Sequence, residues 1–127
     1  MSALVLDAGA FIAVDRGDRD LLAQLRVAQR HELELRTSAI VIAQVWRDPT
    51  GRQAQLALLL RAVDVRPVDR ELGRGAGVLL GRAGTSDPID ATVVLLAEDG
   101  DRILTSDPDD LGRLAAAAGR RVAVVDC

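Results

Sequence analysis

Along this chain, short unbroken apolar runs alternate with longer stretches in which apolar residues recur at helical spacing. The run Ala3-Leu4-Val5-Leu6 predicts a buried strand over 3–7 that ends on Asp7. Gly9 then permits a tight turn, and Ala10 to Val14 predict a short helix. A second helix follows, capped by Asp18, with Leu21, Leu22, Leu25 and Ala28 along one side. Leu33 to Thr37 read as a short strand, with Glu32 and Glu34 facing outward. Ser38 caps an apolar helix from Ala39 to Arg47, which Asp48-Pro49 stops. Residues 52–63 predict a helix that carries Leu56, Leu59, Leu60 and Val63 on one face. Asp64 to Val68 predict a brief strand, and Pro67 puts it near a sheet edge. Residues 69–83 are helical in spacing despite several glycines. The last third predicts helix 88–98, strand Arg102 to Thr105, helix 109–118 and a closing buried strand from Val122 to Val125.

Strands that alternate with helices from end to end predict an α/β fold with a parallel or mostly parallel sheet and helices on both faces. At 127 residues, with no linker-like stretch, the expectation is one domain over 1–127. No apolar run approaches the ~20 residues of a membrane span. The N-terminal residues lack the basic region and apolar core of a secretion signal, so a cytoplasmic protein is expected.

What the chain lacks narrows its chemistry. All 16 basic residues are Arg, which excludes Schiff-base catalysis by Lys and a Lys-containing phosphate loop. His31 and Cys127 are the only residues of their types, so no zinc cluster of His and Cys can form. Carboxylates, hydroxyls, Arg and a bound metal remain. The net charge of −3 does not by itself suggest a nucleic-acid binder, although carboxylates taken up by a metal would leave the remainder near neutral. The Arg excess suits phosphate contact, and it is equally what a GC-rich coding sequence produces.

Two near-copies of one hexapeptide, Thr85-Ser86-Asp87-Pro88-Ile89-Asp90 and Thr105-Ser106-Asp107-Pro108-Asp109-Asp110, each predict a helix start. In a parallel α/β sheet, strand ends and the helix starts near them meet at one edge, where ligands bind. Asp7 ends the first strand and Asp107 follows another, so both point to that edge, and Asp90 comes one helical turn after Asp87. Carboxylates gathered there repel one another unless a cation sits among them. The pattern therefore predicts a Mg²⁺ or Mn²⁺ site built from Asp7, Asp90 and Asp107. Asp87 has two readings, a helix cap or a further ligand. Asp109 and Asp110 read as solvated first-turn charges, and Arg47, Arg82 and Arg113 as phosphate contacts or solvated helix charges. Trp46 reads as core, with a dimer or partner contact as the alternative.

The run Leu4-Val5-Leu6-Asp7-Ala8-Gly9-Ala10-Phe11-Ile12-Ala13 resembles the opening motif of PIN-domain proteins. Ile89-Asp90-Ala91-Thr92-Val93-Val94-Leu95-Leu96-Ala97 resembles the family's third acidic motif, and Ile103-Leu104-Thr105-Ser106-Asp107 its fourth. Within that family the likeness is to small VapC-type toxins, and it covers essentially the whole chain. The resemblance implies a PIN-like three-layer fold and a Mg²⁺- or Mn²⁺-dependent endoribonuclease that leaves a 5′-phosphate. It also implies a homodimer and an antitoxin whose segment fills the cleft. Two positions depart from the family pattern. Ala39-Ile40-Val41-Ile42-Ala43-Gln44-Val45-Trp46-Arg47 fits the second motif with Gln44 where the family has Glu, and Ala8-Gly9 replace the hydroxyl or Asn that often follows the first Asp. Gln44 brings a carbonyl oxygen to that position but no charge, and Asp87 is placed to restore the missing one. The alternative reading is a PIN-like module that has lost nuclease activity and serves as an RNA- or protein-binding unit.

Overall fold

The computed structural model describes residues 2–47 and 51–127. Five strands, β1 (Ala3–Leu6), β2 (Glu34–Ser38), β3 (Val63–Arg66), β4 (Arg102–Thr105) and β5 (Ala123–Asp126), form a single sheet in the order β3-β2-β1-β4-β5. Every neighbouring pair is parallel. Among the described residues, seven helices connect them: α1 (Ala8–Asp15), α2 (Arg19–Arg30), α3 (Ala39–Val45), α4 (Ala54–Leu60), α5 (Arg70–Ala83), α6 (Pro88–Leu95) and α7 (Pro108–Ala117). Helix α1 packs with α2, α3 and α4, whereas α5, α6 and α7 pack with one another, so the sheet lies between two helical layers.

All four residues of β1 are buried, as a central strand covered on both faces requires. Phe11, Leu56, Ile103, Leu111 and Leu114, each less than 2% exposed, anchor the helices to the sheet. Burying one such side chain contributes roughly 1.5–3 kcal/mol. At the amino-terminal side of the sheet, the buried Asp101 accepts the Ala3 N–H (2.6 Å) and the Glu98 N–H (2.8 Å). It faces the Arg36 guanidinium at 3.6 Å, and Arg36 also donates to the Leu96 carbonyl (2.7 Å). This ion pair ties β2, β4 and the end of α6 together.

The chain runs β1, β2, β3 outward on one side and then returns to add β4 and β5 on the other. The topological switch point therefore falls between β1 and β4, where a parallel α/β sheet opens a crevice at its carboxyl edge.

Several boundaries differ from the sequence expectation. Val63 opens β3 rather than ending a helix, because its backbone pairs with Leu35 and its branched side chain is 8% exposed against the core. Strand β3 lies at a sheet edge, as Pro67 implied, and ends at Arg66 before that proline. Helix α3 ends at Val45, where Trp46 turns extended, and the stop assigned to Asp48-Pro49 lies outside the described residues. Helix α6 ends at Leu95. Strand β5 is the other edge of the sheet and only partly buried. Gly9 sits inside α1 rather than in a turn.

Candidate active site

Asp7 and Asp107 follow β1 and β4, the two strands that flank the switch point. Each occupies the N-cap position of the next helix, and neither spends its side chain on capping. A carboxylate that could satisfy helix N–H groups is instead left for the crevice. Asp7 is 5% exposed, and its Oδ2 accepts a hydrogen bond from the Thr105 hydroxyl at 2.7 Å. Thr105 Oγ1 in turn accepts the Asp107 N–H at 3.0 Å. One fully buried hydroxyl thus links the Asp7 carboxylate to the backbone of Asp107.

Asp90 stands on the first turn of α6 and is 9% exposed. One carboxylate oxygen each from Asp90, Asp107 and Asp110 lie within 4.8 Å of one another. The sequence places Asp110 as a solvated first-turn charge, but the approach of α6 to α7 brings it into the cluster. The only available signal was its spacing, three residues past Asp107, which repeats that of Asp87 and Asp90. Burial, followed by the negative charges of Asp7, Asp87, Asp107 and Asp110, pushes the Asp90 carboxyl up to about 7. The nearby Asp110 carboxyl, through a hydrogen bond and its charge, raises Asp107 as well, with burial adding to the shift. Burial leads at Asp90 and the hydrogen bond to Asp110 at Asp107, and the neighbouring negative charges add to both.

Asp87 is a helix cap: its Oδ1 accepts the Ile89 N–H (2.9 Å) and the Asp90 N–H (3.1 Å). Its charge still contributes to the Asp90 shift, so it lies close to the cluster. Gln44 is on α3, and its buried Oε1 has no hydrogen-bond partner among the described residues. A buried carbonyl oxygen without a donor is costly and suits a water or a cation. Ser38, expected as the cap of α3, does not cap it, and its hydroxyl accepts from Thr92 Oγ1 at 3.0 Å. Trp46 packs against the core.

Gly9 sets how closely these elements approach. A Cβ there would lie 2.6 Å from Ser106 Oγ and 2.8 Å from the Ser106 backbone nitrogen. Only glycine lets the first turn of α1 lie against the loop that carries Thr105 and Asp107.

The three converging donors are all carboxylate oxygens, a set that could hold a metal ion.

The chain has the PIN-like three-layer α/β fold. It is similar over 98% of its length to a chain of the VapBC2 complex from Rickettsia felis bound to a fragment of its promoter DNA, with 98% of that chain covered, 12% identity and a TM-score of 0.72. It is equally similar, with a TM-score of 0.72, to a chain of DNA-bound VapBC from Salmonella typhimurium, at 15% identity over 99% of this chain and 98% of that one. No protein-family profile and no curated protein sequence matches it.

Proposed function

We propose that this protein is a Mg²⁺- or Mn²⁺-dependent endoribonuclease, the toxin of a toxin–antitoxin pair. The observation that carries the reading is the convergence of Asp90, Asp107 and Asp110 within 4.8 Å at the crevice of a PIN-like sheet. Asp7, Asp90 and Asp107 would hold the ion together with Asp110, and Asp87 would add charge from one turn away. Gln44 would offer its unpaired Oε1 to a water in the site. A divalent ion held there would polarise a phosphodiester and make a water more acidic. The protein's own part is geometric. Thr105 fixes the Asp7 carboxylate, Gly9 lets the β4–α7 loop lie against α1, and burial shields Asp90 from solvent, which strengthens its charge interactions.

The likeness to chains of two VapBC complexes supports an antitoxin as partner. A homodimer and an antitoxin segment lying in the crevice complete the proposal. One observation favours the second reading, a binding module without catalysis: Gln44 brings no charge and cannot serve as a base.

The test is cleavage. Purified protein should cut single-stranded RNA in Mg²⁺ or Mn²⁺ and stop with EDTA. Asp90→Ala should abolish cutting while the protein stays folded. RNA bound but left intact across a panel that includes structured RNAs would establish the binding module instead.

A further inference from the structure

We propose that Arg113 is the residue that grips an RNA phosphate beside the acid cluster. The inference rests on the nuclease reading and adds a substrate contact to it. Arg113 lies on α7, one turn past Asp110, and its Nη2 stands 3.8 Å from Asp110 Oδ1. Asp110 is itself one of the three converging acids, so this pair brings a guanidinium to the rim of the crevice. The distance exceeds that of a hydrogen bond, so charge holds the pair and no donor is committed to Asp110. The Arg113 side chain is 60% exposed and has solvent to move into.

Three other arginines are committed to protein partners. Arg47 donates to the Ala43 and Trp46 carbonyls at the end of α3, and Arg36 is buried in its network with Glu34 and Asp101. Arg120 donates to the Ala97 carbonyl. The Arg113 fork remains able to bind two oxygens of a phosphate. Were Asp110 to turn to a divalent cation, its charge would hold the guanidinium less, and a substrate phosphate entering the crevice could take its place.

A plain intrahelical pair between Asp110 and Arg113 would affect stability slightly and RNA not at all. The two roles separate by measuring binding of a short labelled single-stranded RNA, with Ca²⁺ in place of Mg²⁺, across a series of salt concentrations. Arg113→Ala should weaken binding roughly three- to tenfold whatever the sequence. It should also make the slope of log affinity against log salt shallower by about 0.7, the loss of one phosphate contact. Arg113→Lys should keep the slope while recovering only part of the affinity. In cleavage assays Arg113→Ala should raise KM with kcat nearly unchanged. Its Mn²⁺ affinity should tighten, by about two- to fivefold, because a cation has left the rim. An unchanged salt slope and KM would overturn the assignment of Arg113 and leave the nuclease reading standing. A parent protein that binds RNA without cutting, with the slope still reduced in Arg113→Ala, would overturn the nuclease reading alone.

Discussion

The Thr105 hydroxyl donates to Asp7 Oδ2 at 2.7 Å, joining the end of β4 to the residue that follows β1. The two strands pair in parallel with Leu6 opposite Leu104, so the next residue on each strand is forced into contact at the crevice. Thr105 is fully buried, and its hydroxyl both donates to Asp7 and accepts from the Asp107 N–H.

Thr105→Val keeps the shape and deletes both interactions. It leaves a buried Asp7 oxygen without its donor, at a cost of about 1–3 kcal/mol. The melting temperature should fall by several degrees and Mn²⁺ affinity should drop, while Thr105→Ser should restore most of both. Equal Mn²⁺ affinity in the valine variant and the parent would mean that Asp7 needs no orienting partner.

Protons should compete with the metal. The Asp90 carboxyl is raised to about 7 in the fold, against an unfolded value near 3.9. Between those values the folded state holds the extra proton, so stability falls as pH rises through that window. Asp107, also raised, acts in the same direction. Asp64, lowered chiefly by its hydrogen bond to Arg66, acts only at more acidic pH. Metal-free protein should therefore melt higher at pH 5 than at pH 8, and the difference should shrink in Asp90→Asn. Millimolar Mn²⁺ should raise the midpoint at pH 8 far more than at pH 5. A metal-free midpoint that rises from pH 5 to pH 8 would contradict the crowding of acids.

Gly9→Ala introduces a Cβ 2.8 Å from the Ser106 backbone nitrogen, so the β4–α7 loop has to move. Overpacking of this kind costs typically 1–3 kcal/mol. Trimming Ser106 to Ala should not rescue the variant, because the backbone atom remains. Calorimetric melts of the single and double variants decide the point, and full rescue by Ser106→Ala would place the clash on the hydroxyl alone.

Gln44→Glu replaces an unpaired buried carbonyl oxygen with a carboxylate of the same size. If the side chain reaches the metal or its waters, Mn²⁺ affinity should tighten by roughly tenfold, equivalent to ~1.4 kcal/mol, and nuclease activity should rise or hold. Titration calorimetry giving the same Mn²⁺ affinity as the parent would put Gln44 outside the site.

The two hexapeptides show how much of this is written locally. Strand–helix alternation, the parallel sheet and the placement of Asp7 and Asp107 at strand ends follow from apolar runs, because a fully buried strand has to be apolar throughout and has to stop where the polar residues begin. Asp90 was legible as a first-turn acid for the same local reason. The hexapeptides themselves are nearly identical, yet their side chains do different things. Thr85 follows Gly84, the left-handed cap of α5 (φ 70°), and its buried hydroxyl has no partner among the described residues, while Asp87 caps α6. Thr105 ends a strand beside β1, so its hydroxyl meets Asp7, and the Asp107 side chain turns to Asp110 rather than capping α7. Nothing within six residues separates those outcomes, because they depend on which strand lies alongside. Asp110 is the same case: a first-turn acid looks solvated until α6 packs near α7 and brings Asp90 to it. Sequence by itself determined which residues form the strands and helices and where the chain's acids fall along them. Strand order and helix packing decided which acids converge, because Coulomb repulsion and burial act between groups brought together only by the folded chain.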